Sequence, residues 1–142
     1  MTAAAPGSHP GLRAADVIAG GGWHPRYVRV LAVASDGDFG FALVDGNGDG
    51  AELEAEAWSW DSGQWVAGTS SGAGPLDWTG PVQTGGRSGD AYYAYGRTPG
   101  RAAVTVSFAG HRYAVPVSQH GVWAFCRIPD GPGRYRDPTL AV

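Results

Sequence analysis

Asp45, Asn47 and Asp49 alternate with glycines in the run DGNGDG, with Gly50 closing it and Glu56 further on. Oxygen donors at every second position, then a glycine that permits a sharp turn, suit a hard cation such as Ca2+, which takes roughly six to eight oxygen ligands. The chemistry on offer is calcium binding by the side chains of Asp45, Asn47 and Asp49, with backbone carbonyls completing the sphere. The plainer reading is a hairpin turn, because glycine tolerates positive φ and Asp or Asn oxygens bond nearby amides. Glu56 is not expected to join a metal. If the chain after Gly50 is extended at roughly 3.3 Å per residue, Glu56 lies about 20 Å away.

The only three glutamates, Glu52, Glu54 and Glu56, alternate with Leu53, Ala55 and Ala57. On a strand they share one face, where like charges call for water or arginine and also discourage edge-to-edge association. Paired catalytic carboxylates would need a concave site opposite them, and the sequence carries no sign of one. The histidines at 9, 24, 111 and 120 have no zinc-ligand spacing, no G-x-S-x-G elbow is present, and the glycine-rich stretches lack a phosphate-loop pattern. Cys126, the single cysteine, lies in an apolar run and is expected to behave as a small core hydrophobe.

The remaining chemistry is aromatic. Strand parity continued past Glu56 places Trp58 and Trp60 on the glutamate face. Either a bulge near Ala57 returns these indoles to the core, or they form an exposed platform with Trp65 and Trp78 nearby. Trp58, Trp60, Trp65, Trp78 and Tyr92 are therefore the candidate ligand-binding residues. Indoles on a rigid strand can stack on a sugar ring or fill a partner's pocket, so the ligand is a protein or a saccharide.

The elements that must position these residues are strands. At 142 residues, with 24 glycines, 10 prolines, 11% aromatic and 16% charged residues, the chain suits one domain of short strands and many turns. Arg26 to Ala34, Phe39 to Val44, Ala51 to Trp60 and Trp65 to Ser70 read as the first four strands. Gly72 to Asp90 reads as a long loop holding Trp78. Ala91 to Tyr95, Arg101 to Phe108, His111 to Ser118 and Val122 to Ile128 follow. Pro116 cannot donate to a ladder, so its strand is expected at an edge or a bulge. Val122 to Ile128 is apolar on both faces and is expected to be covered on both sides. Residues 1–25 read as a flexible leader, 26–129 as a β-sandwich and 130–142 as a flexible tail. A formal net charge of −3 without any lysine argues against nucleic acid. No run is long enough for a membrane span and no export signal is visible, so a cytoplasmic location is the default, a trimmed secreted or cell-surface fragment the alternative.

Two stretches resemble known families. FGFALVDGNGDG resembles the calcium-holding turn of FG-GAP repeats, although Glu52 comes one place early and no second copy exists. The D-x-N-x-D-G…E spacing also matches the EF-hand loop, but FGFALV makes a poor entering helix. GRAAVTVSFAGHRYAVPVSQHGVWAFCRIP resembles the closing three strands of immunoglobulin-like modules of bacterial proteins, which implies an immunoglobulin-like fold. The expected architecture is an all-β, single antiparallel β-sandwich of about eight strands, a small β-barrel being the alternative. The expected function is a non-catalytic binding module using the aromatic surface. A small barrel enzyme of cyclase or isomerase type with an aromatic-lined cavity, and a structural subunit of an assembly, are the other two classes.

Overall fold

Ten short antiparallel strands and one short helix are the regular elements of the described part of the chain, which in this computed structural model is residues 9–77 and 83–141. The helix α1 (Ala14–Gly20) precedes β1 (Arg29–Asp36), β2 (Phe39–Asp45), β3 (Leu53–Asp61) and β4 (Gln64–Gly74), which form one sheet in the order β1-β2-β3-β4. β5 (Gln83–Ser88) and β6 (Ala91–Arg97) pair with β9 (Val122–Arg127) in a second sheet, ordered β5-β6-β9. β7 (Ala103–Phe108) and β8 (His111–Pro116) pair with β10 (Thr139–Leu140) in a third, ordered β10-β7-β8. Among the described residues no sheet closes into a barrel, so the all-β sandwich expectation holds and the barrel alternative does not.

The alternation of apolar residues explains how the sheets stack. Phe41, Leu43, Leu53 and Ala55 of the first sheet meet Tyr95, Val122, Ala124 and Cys126 of the second in one core. The opposite face of the second sheet, with Tyr92, Ala94, Trp123 and Phe125, packs on Val104, Val106, Phe108 and Val115 of the third. β9 is thus covered on both faces, as its unbroken apolar run implies, although it is the last strand of its own sheet. The free face of the first sheet carries Ala42, Val44, Trp58 and Trp65, and onto it Leu12, Val17 and Val28 pack as a third core.

Residues 9–25, whose composition suggests a loose leader, therefore act as a layer. Leu12 and Val17 are buried, and β2 is buried on both faces instead of one. The tail also packs, with Pro138 fully buried and Thr139 opposite Ser107. Within the expected 72–90 loop, β4 runs on to Gly74 and β5 begins at Gln83. The expected closing meander is divided: β7 and β8 form a hairpin, and a turn in which Ser118 donates to Val122 sends β9 into another sheet.

Candidate functional site

The DGNGDG loop is held by its own first residue. Asp45 is fully buried; one carboxylate oxygen accepts from the Gly48 amide at 3.0 Å, the other from the Gly50 amide at 2.8 Å and from Arg29 at 2.9 Å. Asp49 accepts from the Ala51 amide at 3.0 Å, and Asn47 is exposed. A carboxylate already bonded to two amides and a guanidinium meets the needs of a turn, and the cation-sized role is filled by Arg29. No cluster of three His, Cys, Asp or Glu that could hold a metal occurs among the described residues.

The indole face departs from both alternatives drawn from the sequence. β3 pairs with β2 without interruption, Val44 opposite Glu54, Ala42 opposite Glu56 and Gly40 opposite Trp58. Parity is therefore kept, and the extra residue near Ala57 falls on β4, where Ser70 pairs with Glu56 but Ala67 with Trp58. Trp58, Trp65 and Glu56 are nevertheless buried, because residues 9–25 cover them. Glu56 accepts from the Trp23 indole at 2.8 Å and the Trp58 indole at 3.2 Å. Burial pushes its carboxyl up from the ordinary value, the two indole bonds draw it back in part, and the nearby Glu54 charge adds a further push. The glutamates are thus not a uniformly solvated face: Glu52 is exposed, Glu54 half-buried and Glu56 buried.

The candidate aromatic residues do not form one open platform. Trp60 is half-buried, Trp58 is a core residue, and the Trp65 indole donates to the Pro10 carbonyl at 3.2 Å. Tyr92 is buried between the second and third sheets, where its hydroxyl accepts from the Tyr135 amide at 3.0 Å. Trp78 lies outside the described residues.

Elsewhere among the described residues an apolar groove of about 540 Å³ lies where the three sheets meet. Residues 30–35 of β1 form one wall, 113–118 of β8 and its following turn the other, and Ala124, Phe125 and Cys126 of β9 the floor. Each of these strands is the last in its own sheet. The turn from Asp36 to Phe39 pairs those two residues, and hydrogen bonding alternates from such a pair, so the main-chain groups of Val33 and Ser35 point away from β2. By the same alternation from Phe108 and His111, Ala114 and Pro116 point away from β7. Pro116 thus sits at the expected edge, where its missing N–H costs the ladder nothing.

The groove is small-walled. Ala32, Ala34, Ala114 and Ala124 line it, and Arg127 is the one charged residue among its described lining residues. The Arg127 guanidinium lies 4.9 Å from the Tyr113 ring and only loosely near Asp36, at 3.8 Å. Cys126 on the floor is 5% exposed, and burial, reinforced by the Asp36 charge, pushes its thiol far above the ordinary value, which disfavours the thiolate. Pro116 was the single sequence signal of this site; nothing in a linear pattern joins the edge of β1 to that of β8. Set against protein-family models, curated proteins and solved structures, the chain matches none of them.

Proposed function

We propose that this protein is a non-catalytic binding module that receives an extended segment of a protein partner in the groove between β1 and β8. The observation that carries the reading is the convergence of two outward-facing strand edges over an apolar floor. Strand edges recognise extended chains by main-chain hydrogen bonding, and pockets between them select side chains. Long edges without proline or lysine invite such pairing, and β1 (RVLAVASD) has neither. The volume falls within the range of roughly 300–1,000 Å³ usual for ligand sites. The occupant is a short β-strand with apolar side chains and a carboxylate at the Arg127 end, since that guanidinium is the one charge among the described lining residues.

Selection from a displayed library of random nonapeptides tests this. Recovered sequences are expected to alternate apolar residues, to end in an acidic group, and on binding to slow amide exchange at Val33, Ser35 and Ala114. Val33→Pro removes an outward donor without touching the β1–β2 ladder and is expected to abolish capture; because Val33 also packs against the core under residues 9–25, circular dichroism confirms that the variant is folded and Val33→Ala, which keeps the donor, is expected to retain capture. Equal capture by the wild type and Val33→Pro, or protection confined to other strands, sinks the reading. Self-association through the same edges, detected by light scattering, would make it an assembly contact instead.

A further inference from the structure

We infer that residues 9–13 are a proton-dependent latch, in which the His9 imidazolium clips the chain ahead of α1 onto the Trp60–Trp65 pair. The inference is independent of the groove and rests on how the imidazole is held.

Both ring nitrogens of His9 face acceptors: Nε2 lies 2.6 Å from Asp38 Oδ1 and Nδ1 lies 2.9 Å from the Pro10 carbonyl oxygen. A neutral imidazole carries one N–H and can serve only one of them, whereas the imidazolium donates to both. The ring also stacks on Trp60, with centroids 4.2 Å apart and planes 5° from parallel, and meets Trp65 edge-on at 5.3 Å. A cation over an indole face gains a further attraction that the neutral ring lacks. The Pro10 carbonyl joins the two halves of the contact, since it also accepts from the Trp65 indole. Every partner of His9 thus favours its charged form. The Pro10 bond raises its pKa most; burial, the next largest effect, lowers it in part, and the hydrogen bond and charge of Asp38 raise it again, for a net upward shift.

The latch has a place to open. Beyond His9 the segment is anchored by the buried Leu12, whose amide donates to the Ser35 hydroxyl at 3.1 Å, and by Val17. α1 ends at Gly20, and Gly21 and Gly22 follow, the latter at φ +77 with open space around it, before Trp23 is tied to Glu56. The Trp23 end is fixed by its bond to Glu56, and ahead of Leu12 the chain is held by the His9 ring together with the Trp65–Pro10 bond. The other charges around the site are Asp61 at the β3–β4 turn, which accepts from the Ser62 hydroxyl, the Arg13–Asp16 ion pair at the start of α1, and Glu56 beneath the indoles. Of these, Glu56 is the group whose titration must be separated from that of His9.

The sign follows from the raised pKa. The contact is complete below the unfolded histidine value of about 6.5 and is lost as pH rises through the higher folded value. Its consequence is a pH-gated aromatic surface, since the indoles of Trp60 and Trp65 are uncovered when residues 9–13 lift.

The test follows the Leu12 amide and the Trp65 indole N–H by hydrogen exchange, corrected for intrinsic rate, between about pH 5.5 and 8.5, a window that brackets histidine titration. The expected result is a loss of protection at both reporters in one single-proton step, at a pH above the ordinary histidine value. Asp38→Asn should move that step to lower pH, His9→Gln should remove it, and Glu56→Gln should leave it in place. Circular dichroism confirms that each variant is folded. Constant protection across the range overturns the latch, as does a step that survives His9→Gln or disappears in Glu56→Gln.

Discussion

The Trp23 indole N–H and Glu56 Oε2 lie 2.8 Å apart, tying the chain ahead of β1 to the middle of β3. The bond explains how a carboxylate is tolerated in a face that also holds Val44, Ala42 and Trp58. A buried charge needs donors, and among the described residues Glu56 has two indoles and no cation.

Glu56 therefore imposes a pH dependence of known sign. Its folded pKa is raised, so the folded state holds the proton more tightly than the unfolded one. The stability it contributes is full below the unfolded value of about 4.5 and is lost as pH rises through the folded value. Glu56→Gln keeps an oxygen for the indoles and abolishes the titration. Subtracting the variant's urea-derived stability from that of the wild type across pH should give a difference that declines on going up from acid and then levels off; a flat difference would mean that the carboxylate is solvated.

The turn after β2 is expected to be indifferent to calcium. Asp45 spends its oxygens on the Gly48 and Gly50 amides and on Arg29, and a cation would have to displace a guanidinium 2.9 Å away. Melting curves with calcium and with chelator should superimpose. Asp45→Ala should cost about 2–4 kcal/mol, because it strands two amides and removes the partner of Arg29. A rise of several degrees with calcium would restore the loop to a metal site.

What could be read from the sequence was parity. Phe41 and Leu43 do face one way and Ala42 and Val44 the other, Trp58 does share a face with Glu56, and the apolar run of β9 is covered twice. What covered each face could not be read. Leu12, Val17 and Trp23 are isolated apolar residues among Ala, Gly and Pro, without a period to announce a packed layer, yet they convert an outer face into a core. The groove was hidden for a related reason: its walls are edges of separate sheets, and local pattern carries no information on which edges meet.

Cys126 illustrates a residue whose environment agrees with its pattern. It shares a face with Val122 and Ala124 against the first sheet, and both burial and the Asp36 charge disfavour its thiolate. A water-soluble thiol reagent should label the native protein slowly and the urea-unfolded protein at once. Cys126→Ser should cost about 1–3 kcal/mol, the usual penalty for a buried hydroxyl without a partner. Rapid native labelling would show that the groove opens to its floor.

Trp58 and Trp60, two residues apart on one face of β3, should respond differently to truncation. Trp58 is 1% exposed beneath Gly20 and Val17, and removing its indole leaves a cavity between the sheet and the covering segment. Trp60 is half-buried at the rim, where it stacks on His9 and meets Trp65 at 5.6 Å. Trp58→Ala should cost roughly 3–5 kcal/mol, as large-to-small core changes do, and Trp60→Ala about 1–2 kcal/mol. Urea melts of the two variants at one pH decide the matter. Losses below about 1 kcal/mol for both would return the indoles to an open surface, as for ordinary exposed side chains, and would remove residues 9–25 from the fold.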